Sequence, residues 1–190
     1  ITSSADGTKL AAVVKEGNIW TSNNTGAIWT EDTSVGSTKI WFAITSSADG
    51  TKLAATVEGG NIWTSNNSGV SWTVDTIGAT KKWMGITSSA DGTKLAATAN
   101  GLNIWTSSNS GATWTVDTSV GATKSWQEIT SSADGTKLAA VVYGGNIWTS
   151  NNTGATWTED TSIGATKQWR GITSSADGTK LAAVVSGGNI

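Results

Sequence analysis

Apolar and polar residues follow each other in short runs along the whole chain, without the spacing of an amphipathic helix. In the first repeat of this pattern, runs rich in Val, Ile, Thr and Trp occupy residues 10–14, 18–22, 28–32 and 40–46. Runs of about five such residues, separated by Asp-Gly and other Gly-containing turns, are typical of β-strands joined by tight turns. The pattern predicts units of four antiparallel strands, named A to D here, with residues 40–46 forming strand A of the following unit.

A long internal repeat organises these strands. The string ITSSADGTKLAA begins at Ile1, Ile44, Ile86, Ile129 and Ile172, so the period is 42 to 43 residues. Helical arrays can have a similar period, but four short strands per period favour a blade of a β-propeller. The sequence therefore predicts an all-β chain in which residues 1–190 form one β-propeller array of about four and a half blades, the last unit being incomplete.

Small and very large side chains recur at fixed places in this repeat. Strand B carries an Ala pair in every unit, first at Ala11 and Ala12, and small side chains let neighbouring sheets approach closely. Each complete unit also has three Trp residues, and each indole can bury about 150–250 Å². We expect these groups to fill a core between blades, with Leu10, Ala12, Trp20, Trp29 and their copies largely buried.

The composition excludes several function classes. The chain has no Cys, His or Pro, so it lacks disulfides, thiolate metal ligands and the commonest general base. A net charge of -2 with scattered Lys residues argues against a nucleic-acid partner. No apolar run reaches the roughly 20 residues that a membrane helix needs, so membrane insertion is not expected. Abundant Thr, Ser, Asn and Gly favour an extracellular or cell-surface location.

One segment of each complete unit carries a family resemblance. The segments 22–29, 65–72, 107–114 and 150–157 resemble the Asp-box, or bacterial neuraminidase repeat, whose pattern is Ser-x-Asp-x-Gly-x-Thr-Trp. The family places this motif on the turn between the third and fourth strands of a propeller blade, so the resemblance implies a sialidase-like fold. The matching positions are Ser22, Asn24, Gly26, Trp29, Ser65, Asn67, Gly69, Trp72, Ser107, Asn109, Gly111, Trp114, Ser150, Asn152, Gly154 and Trp157.

This chain departs from the family pattern in the same way each time, because Asn stands at the Asp position. Asn can still make the side-chain hydrogen bonds of an Asx turn, so a structural role is retained while a carboxylate role is lost. The Gly of each segment is expected to adopt a positive φ.

The catalytic groups of the sialidases are missing. Those enzymes use an arginine cluster, a Tyr-Glu nucleophile pair and an Asp acid, whereas this chain has one Arg, Arg170, and one Tyr, Tyr143. Neighbouring carboxylates such as Glu31 and Asp32 are expected on opposite faces of a strand, which does not suit a glycosidase pair. The repeated Ser-Ala-Asp-Gly-Thr segment fits a hairpin turn better than a calcium loop. We therefore predict no enzymatic activity, no metal and no cofactor.

Comparison of the units with one another separates constant positions from variable ones. The A–B and C–D turns barely change, whereas the B–C turns and the D-to-A crossovers vary. In an antiparallel blade these two sets lie at opposite ends, and variation in repeat proteins often marks the binding face. We expect a glycan or peptide ligand at the variable end, although drift at exposed positions would give the same pattern. The candidate ligand-binding residues are Lys15, Phe42, Glu58, Lys82, Met84, Asn100, Gln127, Glu128, Tyr143, Gln168 and Arg170, with the adjacent Trp41, Trp83, Trp126 and Trp169 as stacking surfaces.

A structural protein is the alternative interpretation. Near-identical units could build a ring, an extracellular filament or a surface layer without any small ligand. The unit that starts at Ile172 is expected to contain strands A and B and only the first residues of strand C. Its unpaired sheet edge predicts a partner, either another copy of the chain or further blades of the same chain.

Overall fold

The computed structural model describes residues 1–75, 80–121 and 123–188. These residues form β-strands and turns and contain no helix, which confirms the all-β prediction. The described residues therefore contain no helix that is long and apolar enough to cross a membrane.

The described residues contain nineteen strands, which follow one another in the same order in each unit. The A strands are β1 (Thr2–Ser3), β6 (Lys39–Ser46), β10 (Lys81–Ser88), β14 (Trp126–Ser131) and β18 (Lys167–Ser174). The B strands are β2 (Leu10–Val13), β7 (Leu53–Gly60), β11 (Leu95–Ala99), β15 (Leu138–Gly145) and β19 (Leu181–Val185), and β3 (Lys15–Gly17) follows β2. The C strands are β4 (Ile19–Ser22), β8 (Ile62–Ser65), β12 (Ile104–Ser107) and β16 (Ile147–Ser150). The D strands are β5 (Thr30–Asp32), β9 (Thr73–Val74), β13 (Thr115–Val116) and β17 (Thr158–Asp160).

Each complete unit is an antiparallel sheet with the order A-B-C-D. In the second unit Ile44 lies opposite Ala55, Ala55 opposite Trp63, and Trp63 opposite Val74. Ala55 lies on strand B, between strands A and C, and its small side chain leaves room for the Trp41 and Trp63 rings. These rings meet edge to face, with centroids 6.3 Å apart. The same pairing of A-strand and C-strand indoles recurs in the third and fourth units.

Main-chain pairing also connects successive units, a feature that the sequence pattern does not predict. The end of strand B and its turn pair with the first residues of the next A strand, so that Lys15 faces Ile40, Glu58 faces Lys82 and Tyr143 faces Gln168. In the second and fourth units strand B is therefore eight residues long and belongs to two ladders.

The hydrophobic core lies between units, as predicted. Ala11 and Ile19 of the first unit pack with Trp41, Ile44 and Leu53 of the second. Equivalent clusters join the second unit to the third, the third to the fourth and the fourth to the fifth.

Burial of the predicted core residues is incomplete. Trp20 and Trp29 of the first unit are half-buried, and so are their copies Trp63, Trp72 and Trp105, whereas the copies Trp114, Trp148 and Trp157 are buried. Leu181 is exposed, because β19 has no C or D strand beside it among the described residues. The expected start of a fifth C strand lies at residues 189–190, outside the described residues.

Candidate functional site

The A–B turns are closed by an Asp side chain. In the second unit Asp49 Oδ1 accepts hydrogen bonds from Ser47 Oγ at 2.6 Å, from the Thr51 N–H at 3.0 Å and from Thr51 Oγ1 at 2.8 Å. These donors, the Ser47 hydroxyl first, lower the pKa of Asp49 from 3.8 to about 2. The carboxylate serves the hairpin turn that the sequence predicts.

The C–D turns are held by the Ser and Asn of the 65–72 segment and its copies. Asn67 Oδ1 accepts from Ser65 Oγ at 2.9 Å and from the Ser71 N–H at 2.9 Å, and the Gly69 N–H donates to Ser65 Oγ at 3.0 Å. The predicted positive φ is confirmed at the four Gly residues of these segments, for example 86° at Gly69. The residue before each Gly is also left-handed, with φ of 59° at Ser68, a second strained position that the sequence pattern does not indicate.

The two constant turns lie at the same end of each unit. The Ser68 N–H of the C–D turn donates to the Thr51 carbonyl of the A–B turn at 2.8 Å, and the other complete units repeat this bond. A further bond, from the Ala48 N–H to the Ala90 carbonyl at 2.7 Å, connects A–B turns of successive units. The constant end is a continuous network of turns.

The variable positions are brought together at the other end. The Asn100 N–H donates to the Lys82 carbonyl at 2.8 Å, and the Tyr143 N–H donates to the Ser125 carbonyl at 2.8 Å. Each B–C turn therefore touches the A strand of its own unit as well as the A strand of the next.

A β-bulge in strand A sets the direction of several variable side chains. The register shifts between Trp41 and Ala43, which leaves Phe42 as the extra residue, and Gln127 and Arg170 occupy the same place. A bulge redirects a side chain relative to a regular strand. Phe42 and Arg170 are exposed and Gln127 is half-buried, whereas Met84 is only 6% exposed and belongs to the interior.

The four A-strand Trp rings are buried, so the structure places them in the core and not on a stacking surface. Trp83 and Trp126 are 2% and 0% exposed. Three indole N–H groups donate to carbonyls at the end of the preceding B–C turn: Trp41 to Gly17, Trp126 to Leu102 and Trp169 to Gly145.

Some candidate residues are already paired with each other across unit boundaries. Lys82 Nζ lies 3.3 Å from Glu58 Oε1, and the Arg170 guanidinium lies over the Tyr143 ring at 4.9 Å from its centroid. Both pairs join a B–C turn to the next A strand.

Glu128 lies on β14, the A strand of the fourth unit, and its carboxylate is largely buried. Its Oε1 accepts the Ile129 N–H at 3.1 Å, and desolvation raises its pKa. A Cβ at Gly85 of the neighbouring unit would lie 2.5 Å from this oxygen, so the absence of a side chain at Gly85 makes the space for Glu128.

Two further candidates, Lys15 and Phe42, lie at the boundary of the first and second units, beside exposed apolar residues that were not among the candidates. Lys15 lies opposite Ile40 in the ladder between β3 and β6, and Phe42 follows two residues later on β6. Val14, Ile40 and Phe42 are 46%, 39% and 44% exposed. We call Val14, Lys15, Ile40 and Phe42 the apolar corner; of the remaining variable positions, Asn100 is half-buried and Gln168 is exposed.

The structure also shows cavities that the sequence did not indicate. Grooves lie between the D strand of one unit and the turns of the next, with a volume of about 520 Å³ between the first and second units. No group of three or more potential metal-ligating side chains converges within the described residues.

Comparison with known proteins addresses the fold. No family model matches the sequence, and no curated protein matches it. Solved structures do match: a YCF48 protein bound to a D1 peptide aligns over 99% of this chain with a TM-score of 0.69 and 17% identity. A nidogen/laminin complex aligns over 97% with a TM-score of 0.72 and 16% identity. The chain has the β-propeller fold.

Enzymes occur among the matching propellers as well. A GH74 xyloglucanase from Xanthomonas campestris aligns over 95% of this chain with a TM-score of 0.72 and 14% identity. This chain spans 62% of the YCF48 chain, 70% of the nidogen/laminin match and 34% of the xyloglucanase. At these identities the likeness concerns the fold alone.

Proposed function

We propose that this chain is a non-enzymatic binding scaffold that holds a peptide or protein segment at its variable end, centred on the apolar corner. The observation that carries the proposal is the exposure of Val14, Ile40 and Phe42 on two paired strands, β6 and the segment next to Lys15 on β3. Exposed apolar groups that lie together with polar neighbours are typical of protein-binding surfaces. Two of the matching structures are complexes, one of YCF48 with a D1 peptide and one of nidogen with laminin.

The absence of a suitable acid-base pair supports a role without catalysis. The chain has no His. Glu31 is exposed while its neighbour Asp32 is buried, as expected for opposite faces of a strand. The raised pKa of Glu128 belongs to a group that bonds its own main chain. A glycan is a weaker candidate ligand than a peptide, because the A-strand indoles that could stack on sugar rings are buried.

We also propose that the C–D turns are Asp-box turns in which Asn replaces Asp. The hydrogen bonds from Ser65 Oγ and from the Ser71 N–H to Asn67 Oδ1 support this assignment, since an amide oxygen here does the work of a carboxylate oxygen.

Selection of peptides from a displayed random library tests the binding proposal. We expect peptides selected on the wild-type chain to bind at least tenfold more weakly to an Ile40→Thr/Phe42→Ser variant. The matched control is Ile28→Ser, which removes a more exposed side chain, at 68%, from the constant end and lies outside the groove between the first two units. Peptides that bind both variants as well as wild type would contradict the location, and a library without binders below about 1 mM would contradict the function.

A structural repeat array without ligand is the second candidate. The cross-unit pairs Glu58–Lys82 and Tyr143–Arg170 favour it, because they show that variable residues also serve contacts between units. Light scattering over a dilution series separates the two functions: concentration-dependent assembly supports the array, and peptide binding by a monodisperse chain supports the scaffold.

A further inference from the structure

The groove between the first and second units has an open strand edge on one wall. Strand β5 lies at the end of its sheet and pairs with β4 alone among the described strands. Residues 68–70 of the next C–D turn line the opposite wall, and Leu10 and Leu53 add apolar surface. The groove is independent of the apolar corner and lies outside the set of variable positions.

The main chain of Glu31 faces this groove. Glu31 is paired with Trp20, and the next residue, Asp32, is paired with Ile19. In the next two units the Asp at the Asp32 position donates its N–H to the facing Ile carbonyl, at 2.8 and 2.9 Å. Antiparallel ladders alternate bonded and non-bonded pairs, so the N–H and C=O of Glu31 point away from β4. An unpaired edge of this kind is a template for an added strand.

Lys9 in this groove departs from its copies in the other units. The equivalent lysines donate to the main-chain carbonyl of the next A–B turn: Lys52 to Asp91 at 2.9 Å, Lys94 to Asp134 at 2.7 Å and Lys137 to Asp177 at 2.8 Å. Lys9 Nζ instead makes a longer bond of 3.3 Å to Ser68 Oγ, on the far wall of the groove. An ammonium has three donors, so Lys9 retains the capacity to bind a carboxylate.

The same groove is smaller at other boundaries. Its volume is about 340 Å³ between the second and third units and about 300 Å³ between the fourth and fifth. The described residues that line the first groove include no aromatic ring, so it lacks a stacking surface for a sugar. These described lining residues offer open main-chain groups, hydroxyls, the carboxylates of Glu31 and Asp32, and the ammonium of Lys9 as their one cation, a mixture that suits a polypeptide better.

We propose that the groove between the first and second units binds an extended peptide as an added strand on β5, with a carboxylate of the peptide paired to Lys9 Nζ. Main-chain hydrogen bonds to Glu31 would align the peptide, and alternate side chains would contact Leu10 and Leu53. The carboxylate can come from an acidic side chain or from the end of a chain.

Synthetic peptides test both parts of the proposal. The probe is acetyl-Glu-Thr-Val-Thr-Val-Thr-Glu-amide, titrated into the ¹⁵N-labelled full chain by NMR. We expect chemical-shift changes confined to Lys9, Thr30 to Ser34 and Ser68 to Val70.

Two changes in the peptide separate the parts of the proposal. N-methylation of alternate peptide nitrogens removes strand pairing, and Gln in place of both Glu residues removes the carboxylates. Each change should weaken binding at least fivefold. If the Gln peptide with a free C-terminal carboxylate regains affinity, a chain end is the natural source; otherwise an acidic side chain is.

Protein variants provide the matched controls. Glu31→Pro removes the outward N–H together with the hydrogen bond that the Glu31 carboxylate accepts from Asn18. Glu159→Pro makes the same change on β17, away from this groove, where the carboxylate accepts from Asn146. Binding should be lost with Glu31→Pro and with Lys9→Met and retained with Glu159→Pro. If Glu31→Pro does not fold, Lys9→Met and the N-methylated peptide still decide the outcome. Equal binding of the N-methylated peptide, or shifts outside the groove, would overturn the proposal. The Ile40→Thr/Phe42→Ser variant leaves this groove intact. The proposal for the groove and the proposal for the apolar corner can therefore be refuted independently of each other.

Discussion

The aspartates of the A–B turns are held in the ionised form by their own turns. The pKa values of Asp49, Asp91 and Asp134 lie at about 2, because a Ser hydroxyl, then a Thr N–H and a Thr hydroxyl, stabilise the carboxylate. The side chains are almost fully exposed, so the hydrogen bonds and not burial cause the shift. The same group of three donors recurs in all five units.

This arrangement predicts acid sensitivity. A folded pKa below the ordinary 3.8 contributes stability that is complete above about pH 4 and is lost as the pH falls toward 2. We expect the thermal midpoint of the wild-type chain to drop in this window, and that of the triple variant Asp49→Asn/Asp91→Asn/Asp134→Asn to drop less. Circular dichroism melts at about pH 7, 4 and 2.5 measure the difference. A wild-type midpoint that is constant between about pH 4 and 2.5 would contradict the prediction.

Individual positions also show how far a repeat can be interpreted from sequence. The positive φ at Gly69 was predictable from the turn that its segment forms, since glycine tolerates that conformation. The difference between Phe42 and Met84 was not, because both occupy the same place in the repeat while one is exposed and the other buried. The pair of Glu58 and Lys82 became visible only when the ladder between their strands was known.

At the level of strands, each complete unit after the first combines a small residue with two indoles and a lysine. Ala97 on β11 is fully buried and leaves room for the Trp83 and Trp105 rings, whose centroids lie 6.2 Å apart. The ammonium of Lys81 lies 4.7 Å from the centre of the Trp105 ring, within cation–π range. The Ala pairs and the Trp repeat predicted a core of small and very large side chains between blades, whereas nothing in the pattern indicated the contact of two indoles within one sheet, the lysine over the ring or the A-strand bulges.

Two glycines of the third unit, one in the A–B turn and one in the B–C turn, separate the cost of conformation from the cost of packing. Gly92 and Gly101 have nearly the same positive φ, 67° and 69°. A Cβ at Gly92 would lie 2.8 Å from Lys52 Cβ and 3.1 Å from Ser47 Cβ of the previous unit, while a Cβ at Gly101 meets nothing within 4 Å. We expect Gly101→Ala to cost about 1 kcal/mol for its backbone conformation. Gly92→Ala should cost a further ~1–3 kcal/mol for the crowded contact.

Urea unfolding of the two glycine variants measures this difference directly. The two substitutions are chemically identical, so any common effect on the unfolded chain cancels between them. Equal losses of unfolding free energy would show that the previous unit can move away from a side chain at position 92 with no cost in free energy.

At the scale of the whole molecule, stability comes from contacts between neighbouring units. Each hydrophobic cluster joins two adjacent units, and the bonds between A–B turns also connect neighbours. Stability in such an array is approximately a sum over units and over their interfaces. The period and the apolar pattern predicted this organisation, because a single sheet with Trp on its face cannot bury that face alone.

Removal of one unit should therefore shorten the array without destroying it. Deletion of residues 129–171 joins Glu128 to Ile172, and Ile172 then takes the place of Ile129 in the cluster around Trp126. We expect an all-β chain that unfolds cooperatively, with a urea m-value about a quarter smaller, because m scales with the surface exposed on unfolding. Deletion of residues 129–150 is the control, since it removes the second half of β14 and all of β15 and β16, and leaves the D strand β17 without its neighbour. That variant should lose the cooperative transition. If it unfolds as cooperatively as the variant lacking a whole unit, the units are not the building blocks of stability.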